Sequence, residues 1–72
     1  MRIILRMENL DCAHCAQKME DKIAKLASVE SVSISFMAQK MILQAKDDCD
    51  KTELIDRVRA AVASVDKDCV VL

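Results

Sequence analysis

Residues 2–27 read RIILRMENLDCAHCAQKMEDKIAKLA, and a change of period inside this stretch decides the fold. From Arg2 to Met7 apolar and polar positions alternate, so Ile3, Leu5 and Met7 share one face, the signature of a half-buried strand. Glu8 to Asp11 is polar and reads as a loop. From Ala13 to Ala27 the spacing becomes helical. Ala16, Met19, Ile23, Leu26 and Ala27 line one side, and Gln17, Lys18, Asp21, Lys22 and Lys25 fall elsewhere.

The rest of the chain repeats this grammar. Val32, Ile34 and Phe36 alternate with Ser31, Ser33 and Ser35, which predicts a second strand over 29–36. Met37-Ala38-Gln39 is a short connection. Lys40 to Lys46 alternates again, with Met41, Leu43 and Ala45 on the inner face. Asp50-Lys51-Thr52-Glu53 fits a capping box with Asp in the capping place, and opens a second helix. Its apolar stripe is Leu54, Ile55, Val58, Ala61, Val62 and Val65. Asp66 to Asp68 is a polar turn, and Cys69 to Leu72 a last short strand. The order βαββαβ, with strands apolar on one face only, predicts an α+β, ferredoxin-like domain. In that plan a four-stranded antiparallel sheet carries two helices on one face. Right-handed crossovers bring the Cys12 loop, the turn around Ala38 and the turn around Lys67 to one end, and leave Cys49 at the other.

Composition bounds what such a domain does. The chain has 72 residues, room for a single domain over 1–72 with one marginal core. A net charge of −1 leaves no basic field for phosphate backbones, and Phe36 is the only ring on which a base might stack, so no nucleic-acid partner is expected. No apolar run is long enough to span a bilayer, and Arg2 is followed by only three apolar residues before Arg6, which is no export signal. The expectation is therefore a cytoplasmic module without membrane insertion, free-standing or cut from a larger protein. Cys12, Cys15, Cys49 and Cys69 then read as reduced thiols rather than a disulfide framework, and a Cys49–Cys69 bridge is excluded by their opposite ends. Glycine and proline are both absent, so every turn uses other residues.

The chemistry lies in Asn9-Leu10-Asp11-Cys12-Ala13-His14-Cys15. Two thiols separated by two residues, where a loop becomes a helix, converge on one ion. The free N–H groups and dipole of the helix start favour thiolate there. Thiolates select soft ions such as Cu(I), Zn(II) and Cd(II). Asp11 offers a hard oxygen, as a tetrahedral dication wants, or else a helix cap. His14 sits between the cysteines as a further donor whose ring is expected to face solvent. Lys67, in the last turn, is a candidate to neutralise the paired thiolates. Cys69 is a candidate third sulfur, with core packing as the plainer reading. Met7, Met19 and Met41 fall on apolar faces and read as core rather than thioether ligands, while Met37 reads as an exposed hairpin residue.

A CxxC at the first β-to-α junction of a βαββαβ chain this short resembles the heavy-metal-associated domain family. That family comprises cytosolic copper chaperones and the amino-terminal domains of metal-exporting P-type ATPases. The resemblance covers essentially the whole chain. It implies a non-enzymatic metal carrier or regulatory domain whose two ligands are Cys12 and Cys15 and whose partner is a metal-transporting ATPase or other domains of the same one. Where copper members carry Gly-Met-Thr, this chain has Asn9, Leu10 and Asp11. An acidic residue just before the first cysteine looks like the zinc, cadmium and lead exporting branch, so Zn2+ or Cd2+ is the favoured cargo and Cu+ the alternative. Lys67 matches a position where copper chaperones carry lysine, and Asp66 stands where the family often has glycine. A metal-bridged dimer is a further expectation.

A reading from another class is a dithiol-disulfide oxidoreductase, since Cys-Ala-His-Cys resembles the active-site tetrad of disulfide isomerases. That fold needs a longer chain and normally a cis-proline facing the pair; this chain has no proline. A small-molecule regulatory or RNA-binding role on the same fold is disfavoured by the missing aromatics and glycines.

Overall fold

The computed structural model describes residues 1–72. Its elements follow the order read from the sequence: β1 (Arg2–Glu8), α1 (Ala13–Ala24), β2 (Val29–Ser35), β3 (Lys40–Ala45), α2 (Lys51–Val65) and β4 (Val70–Val71). The strands form one antiparallel sheet in the order β2-β3-β1-β4, with α1 and α2 over one face. Alternation on β1 works as its pattern demands. Ile3, Leu5 and Met7 are buried, while Arg2, Ile4, Arg6 and Glu8 face out. On β3 Met41, Leu43 and Ala45 do the same. The helices contribute Ala16, Met19 and Ile23 from α1 and Leu54, Val58 and Val62 from α2. Met19, Ile23, Met41, Leu43, Val58 and Val62 are all but sealed from water. Met7, Met19 and Met41 thus pack in the core, and Met37 stands 89% exposed at the β2–β3 turn. No helix is long and apolar enough to cross a membrane.

Several details differ from the sequence pattern, each for a physical reason. α1 stops at Ala24, not Ala27. Its last turn tightens through Lys25 N–H to the Lys22 carbonyl and Leu26 N–H to the Ile23 carbonyl, and this turns the chain toward β2. Val32, Ile34 and Phe36 are only half-buried, because β2 is an edge strand. A bulge between Val29 and Ser31 lets Val29 also face the core, three residues from Val32 and out of simple alternation with it. The α2 capping box is half formed. Asp50 accepts from the N–H groups of Thr52 and Glu53, but the Glu53 carboxylate takes Arg57 instead. Only Val70 and Val71 qualify as β4, paired with Glu8 and Met7, and Leu72 N–H adds one bond to the Arg6 carbonyl.

Three turns meet at one end, as the crossover rule required. Met7 N–H reaches the Gln39 carbonyl at 2.8 Å, and the Asn9 amide reaches the Asp68 carbonyl at 3.2 Å. At the opposite end the Met1 ammonium binds the Ala45 carbonyl and the Asp47 carboxylate, and Cys49 N–H closes a turn onto Lys46. All four cysteines are free.

Candidate metal centre

β1 delivers the chain to the site, and the loop between it and α1 is fixed at both ends. Leu10 is 2% exposed and plugs the core beneath the loop. Asn9 adopts φ 64, a left-handed turn that asparagine tolerates better than most side chains. Cys12 is the N-cap of α1, at φ −140 and ψ 117, and its sulfur accepts the Cys15 backbone N–H at 3.4 Å. The capping alternative for Asp11 is thereby corrected. The first extended residue before the helix is Cys12, and Asp11 projects as an exposed carboxylate next to it.

This geometry separates the two thiols. The Cys15 backbone N–H at the Cys12 sulfur draws the Cys12 pKa below its ordinary value, aided by the Cys15 side chain and the His14 N–H. Cys15 moves the other way. Its thiol is engaged with the Cys12 sulfur, and partial desolvation and the charges of Cys12 and Asp66 push its pKa up, with Lys18 opposing. The two thiols thus titrate as a pair in which Cys12 is the one drawn toward thiolate. Both residues are half-exposed.

The other candidates do not converge on the pair. No three His, Cys, Asp or Glu side chains come together as a ready metal cage. His14 lies exposed on the first turn of α1. Cys69 is 5% exposed, and burial pushes its thiol pKa up, reinforced by Asp66, Asp11 and Cys15, so it is a packed neutral sulfur. Lys67 is exposed in the turn before Cys69, and the lysine that lowers the Cys15 pKa is Lys18 on α1. Asp66, in sequence a plain turn residue, does more in the fold. It caps the end of α2, orders the turn through Asp68 N–H at 3.0 Å and sets its charge near Cys15 and Cys69. Gln39, in sequence a plain connection residue, bonds both backbone groups of Leu10 through its side-chain amide. The one sequence signal was the absence of glycine, which obliges some other residue to take the left-handed position in that turn.

The family model described as the heavy-metal-associated domain matches residues 4–68. The zinc/cadmium/lead-transporting P-type ATPase of Escherichia coli (strain K12) is 35% identical over 43 residues, a match covering 60% of this chain and 6% of that transporter. The transporter of that description from Shigella sonnei (strain Ss046) matches to the same extent. The chain thus spans only a small part of the curated relatives it matches. Among solved structures, the CopZ metallochaperone superposes with a TM-score of 0.78 at 19% identity, over 100% of both chains, which is a likeness of fold. A chain from work on crosstalk between Cu(I) and Zn(II) homeostasis superposes with a TM-score of 0.74 at 26% identity, over 100% of this chain and 99% of that one.

Proposed function

Because the chain belongs to the heavy-metal-associated domain family, we propose that Cys12 and Cys15 together bind one soft or borderline metal ion and pass it on, with Zn(II), Cd(II) and Pb(II) preferred. The carrying observation is the Cys12 sulfur at the α1 N-cap, held by the Cys15 N–H in a half-exposed loop. A helix start stabilises the anionic sulfur a metal needs, and the exposure leaves room for a partner's cysteines to attack. Transfer is therefore favoured over storage. The receiving or parent protein is a metal-transporting ATPase, and the domain works on the cytoplasmic side of the membrane.

Asp11 supports the divalent preference. Its carboxylate stands exposed beside Cys12, adds negative charge to the site, and gives a dication the hard oxygen that two thiolates lack. The likeness to the zinc/cadmium/lead transporter points the same way. A second reading, Cu(I) carriage, is favoured by a different observation. Only the two thiols are placed together, and Cu(I) is satisfied by two near-linear sulfurs.

The experiment is a competition titration of reduced protein, Zn(II) and Cd(II) against Cu(I), with amide shifts followed at Asp11, Cys12, His14, Cys15, Lys67 and Cys69. The Cys12→Ala/Cys15→Ala variant stays folded and loses tight binding. Asp11→Ala weakens Zn(II) and Cd(II) by about tenfold or more and Cu(I) far less. Equal losses for the three ions would sink the ligand role of Asp11, and tight Cu(I) binding with Asp11 unmoved would favour copper.

A further inference from the structure

Gln39 joins the β2–β3 turn to the loop that carries the cysteines. Its backbone holds φ 53, a left-handed conformation that glycine or asparagine takes more readily than glutamine. The side chain accounts for its presence. Its Oε1 accepts the Leu10 N–H at 3.0 Å, while its Nε2 donates to the Leu10 carbonyl and, at 2.8 Å, to the Phe36 carbonyl. The amide orientation follows from these partners, because an N–H needs an acceptor and two carbonyls need donors. The Gln39 main-chain carbonyl accepts the Met7 N–H at 2.8 Å. One residue thus pairs with β1 through its backbone and then, through a peptide-shaped side chain, extends the same pairing to Leu10. Leu10 is two residues before Cys12 and is buried, so its backbone groups have little access to water as a substitute partner.

Resting on the metal site proposed above, we infer that Gln39 is a positioning residue for metal binding, a two-pronged clamp that holds the Leu10–Cys12 segment in its binding geometry. The clamp acts through Leu10 and touches neither sulfur. Cys12 belongs to the loop, whereas Cys15 belongs to α1. The rigid helix fixes Cys15 outright, whereas Cys12, bonded to the helix start by the Cys15 and Ala16 N–H groups, depends also on the loop's tethers for its approach. The Asn9 amide to Asp68 ties the loop to the turn before β4, and Gln39 ties it to the β2–β3 turn. A loop freed from Gln39 samples arrangements in which Cys12 is misplaced. The metal must then supply the ordering, which appears as lost affinity.

Two variants separate the clamp from the turn. Gln39→Gly keeps the left-handed backbone and relieves it while deleting the amide. Gln39→Met keeps the length of the side chain and deletes its hydrogen bonds. The measurements are amide hydrogen exchange at Leu10–Cys12 in chelator, competition titrations with Zn(II) and Cu(I), and thermal melts. In both variants the Leu10 amide is expected to exchange at least about tenfold faster and the metal to bind about tenfold more weakly, the worth of one or two net hydrogen bonds. The melting temperature of Gln39→Gly stays near that of the wild type. Unchanged Leu10 exchange, or affinity within about twofold of wild type in both variants, overturns the clamp while leaving the metal site standing. Affinity lost only in step with global unfolding also overturns it, since a merely structural role predicts that pattern. A wild-type protein that binds neither ion overturns the metal reading and the clamp's purpose with it.

Discussion

Replacing Cys12 with serine separates the two roles that meet at one atom. The Cys12 sulfur is both a proposed ligand and the acceptor that caps α1, taking the Cys15 N–H at 3.4 Å. Sulfur is a weak acceptor, whereas serine is among the preferred capping residues. A good cap is worth about 1 kcal/mol over alanine. With part of that already supplied by sulfur, Cys12→Ser gains roughly 0.5 kcal/mol in chelator and Cys12→Ala loses a similar amount. In a domain of this size the serine variant then melts about 2–4 °C higher than wild type. Cys12 is half-exposed, so no cavity offsets the gain. Metal reverses the order. An ion at about 100 times its Kd stabilises the wild type by about 2.7 kcal/mol, raising its melting temperature by more than about 10 °C, and the one-sulfur variant gains little. The assay is circular-dichroism melting of reduced protein in chelator and in excess Zn(II) or Cd(II). A serine variant destabilised by more than about 1 kcal/mol in chelator would refute the capping argument. Equal metal-induced shifts in wild type and variant would refute Cys12 as a ligand.

The opposed thiol shifts carry a pH signature: Cys12, drawn below its ordinary pKa, holds more thiolate near neutrality than Cys15, which is pushed above its own. Limited iodoacetamide, mapped by mass spectrometry, therefore modifies Cys12 first, and its rate rises at lower pH than that of Cys15; the reverse order contradicts the geometry. Leu43 is wholly buried at the centre of the sheet, so Leu43→Ala costs about 2–5 kcal/mol in a urea melt, enough to unfold much of so small a domain. Asp50→Ala costs about 1 kcal/mol through the lost α2 cap, whereas Glu53→Ala leaves that cap intact and loses only the exposed pair with Arg57; a loss for Glu53→Ala as large as that for Asp50→Ala would restore the full capping box.

Much was legible along the chain because its causes are local. Alternation at Ile3-Leu5-Met7 and Met41-Leu43-Ala45, and helical spacing at Ala16-Met19-Ile23 and Leu54-Val58-Val62, place apolar groups on one face wherever the elements end up. Topology then follows from crossover handedness, and with it the meeting of the Cys12, Ala38 and Lys67 turns at one end. The CxxC is equally local, since two residues of spacing across a helix start bring both sulfurs together in any fold.

The remaining features depend on partners far away in sequence. Which residue caps α1 turned on the loop's path, which put Cys12 and not Asp11 in the extended position next to the helix. Val29 reaches the core only through a bulge against β3. Asp66 approaches Cys15, and Cys69 sinks below the site, because α2 and β4 pack beside α1 and β1. Gln39 looks like an ordinary turn residue until Leu10, 29 positions away, stands opposite its amide. Sequence by itself determined the elements, their order, the core faces of β1, β3 and the two helices, and the pairing of two cysteines at a helix start, because short-range periodicity and spacing carry them. Tertiary structure alone decided how the loop is held and which charges and hydrogen bonds reach each sulfur, because hydrogen bonding and electrostatics act on distances that only the folded chain defines.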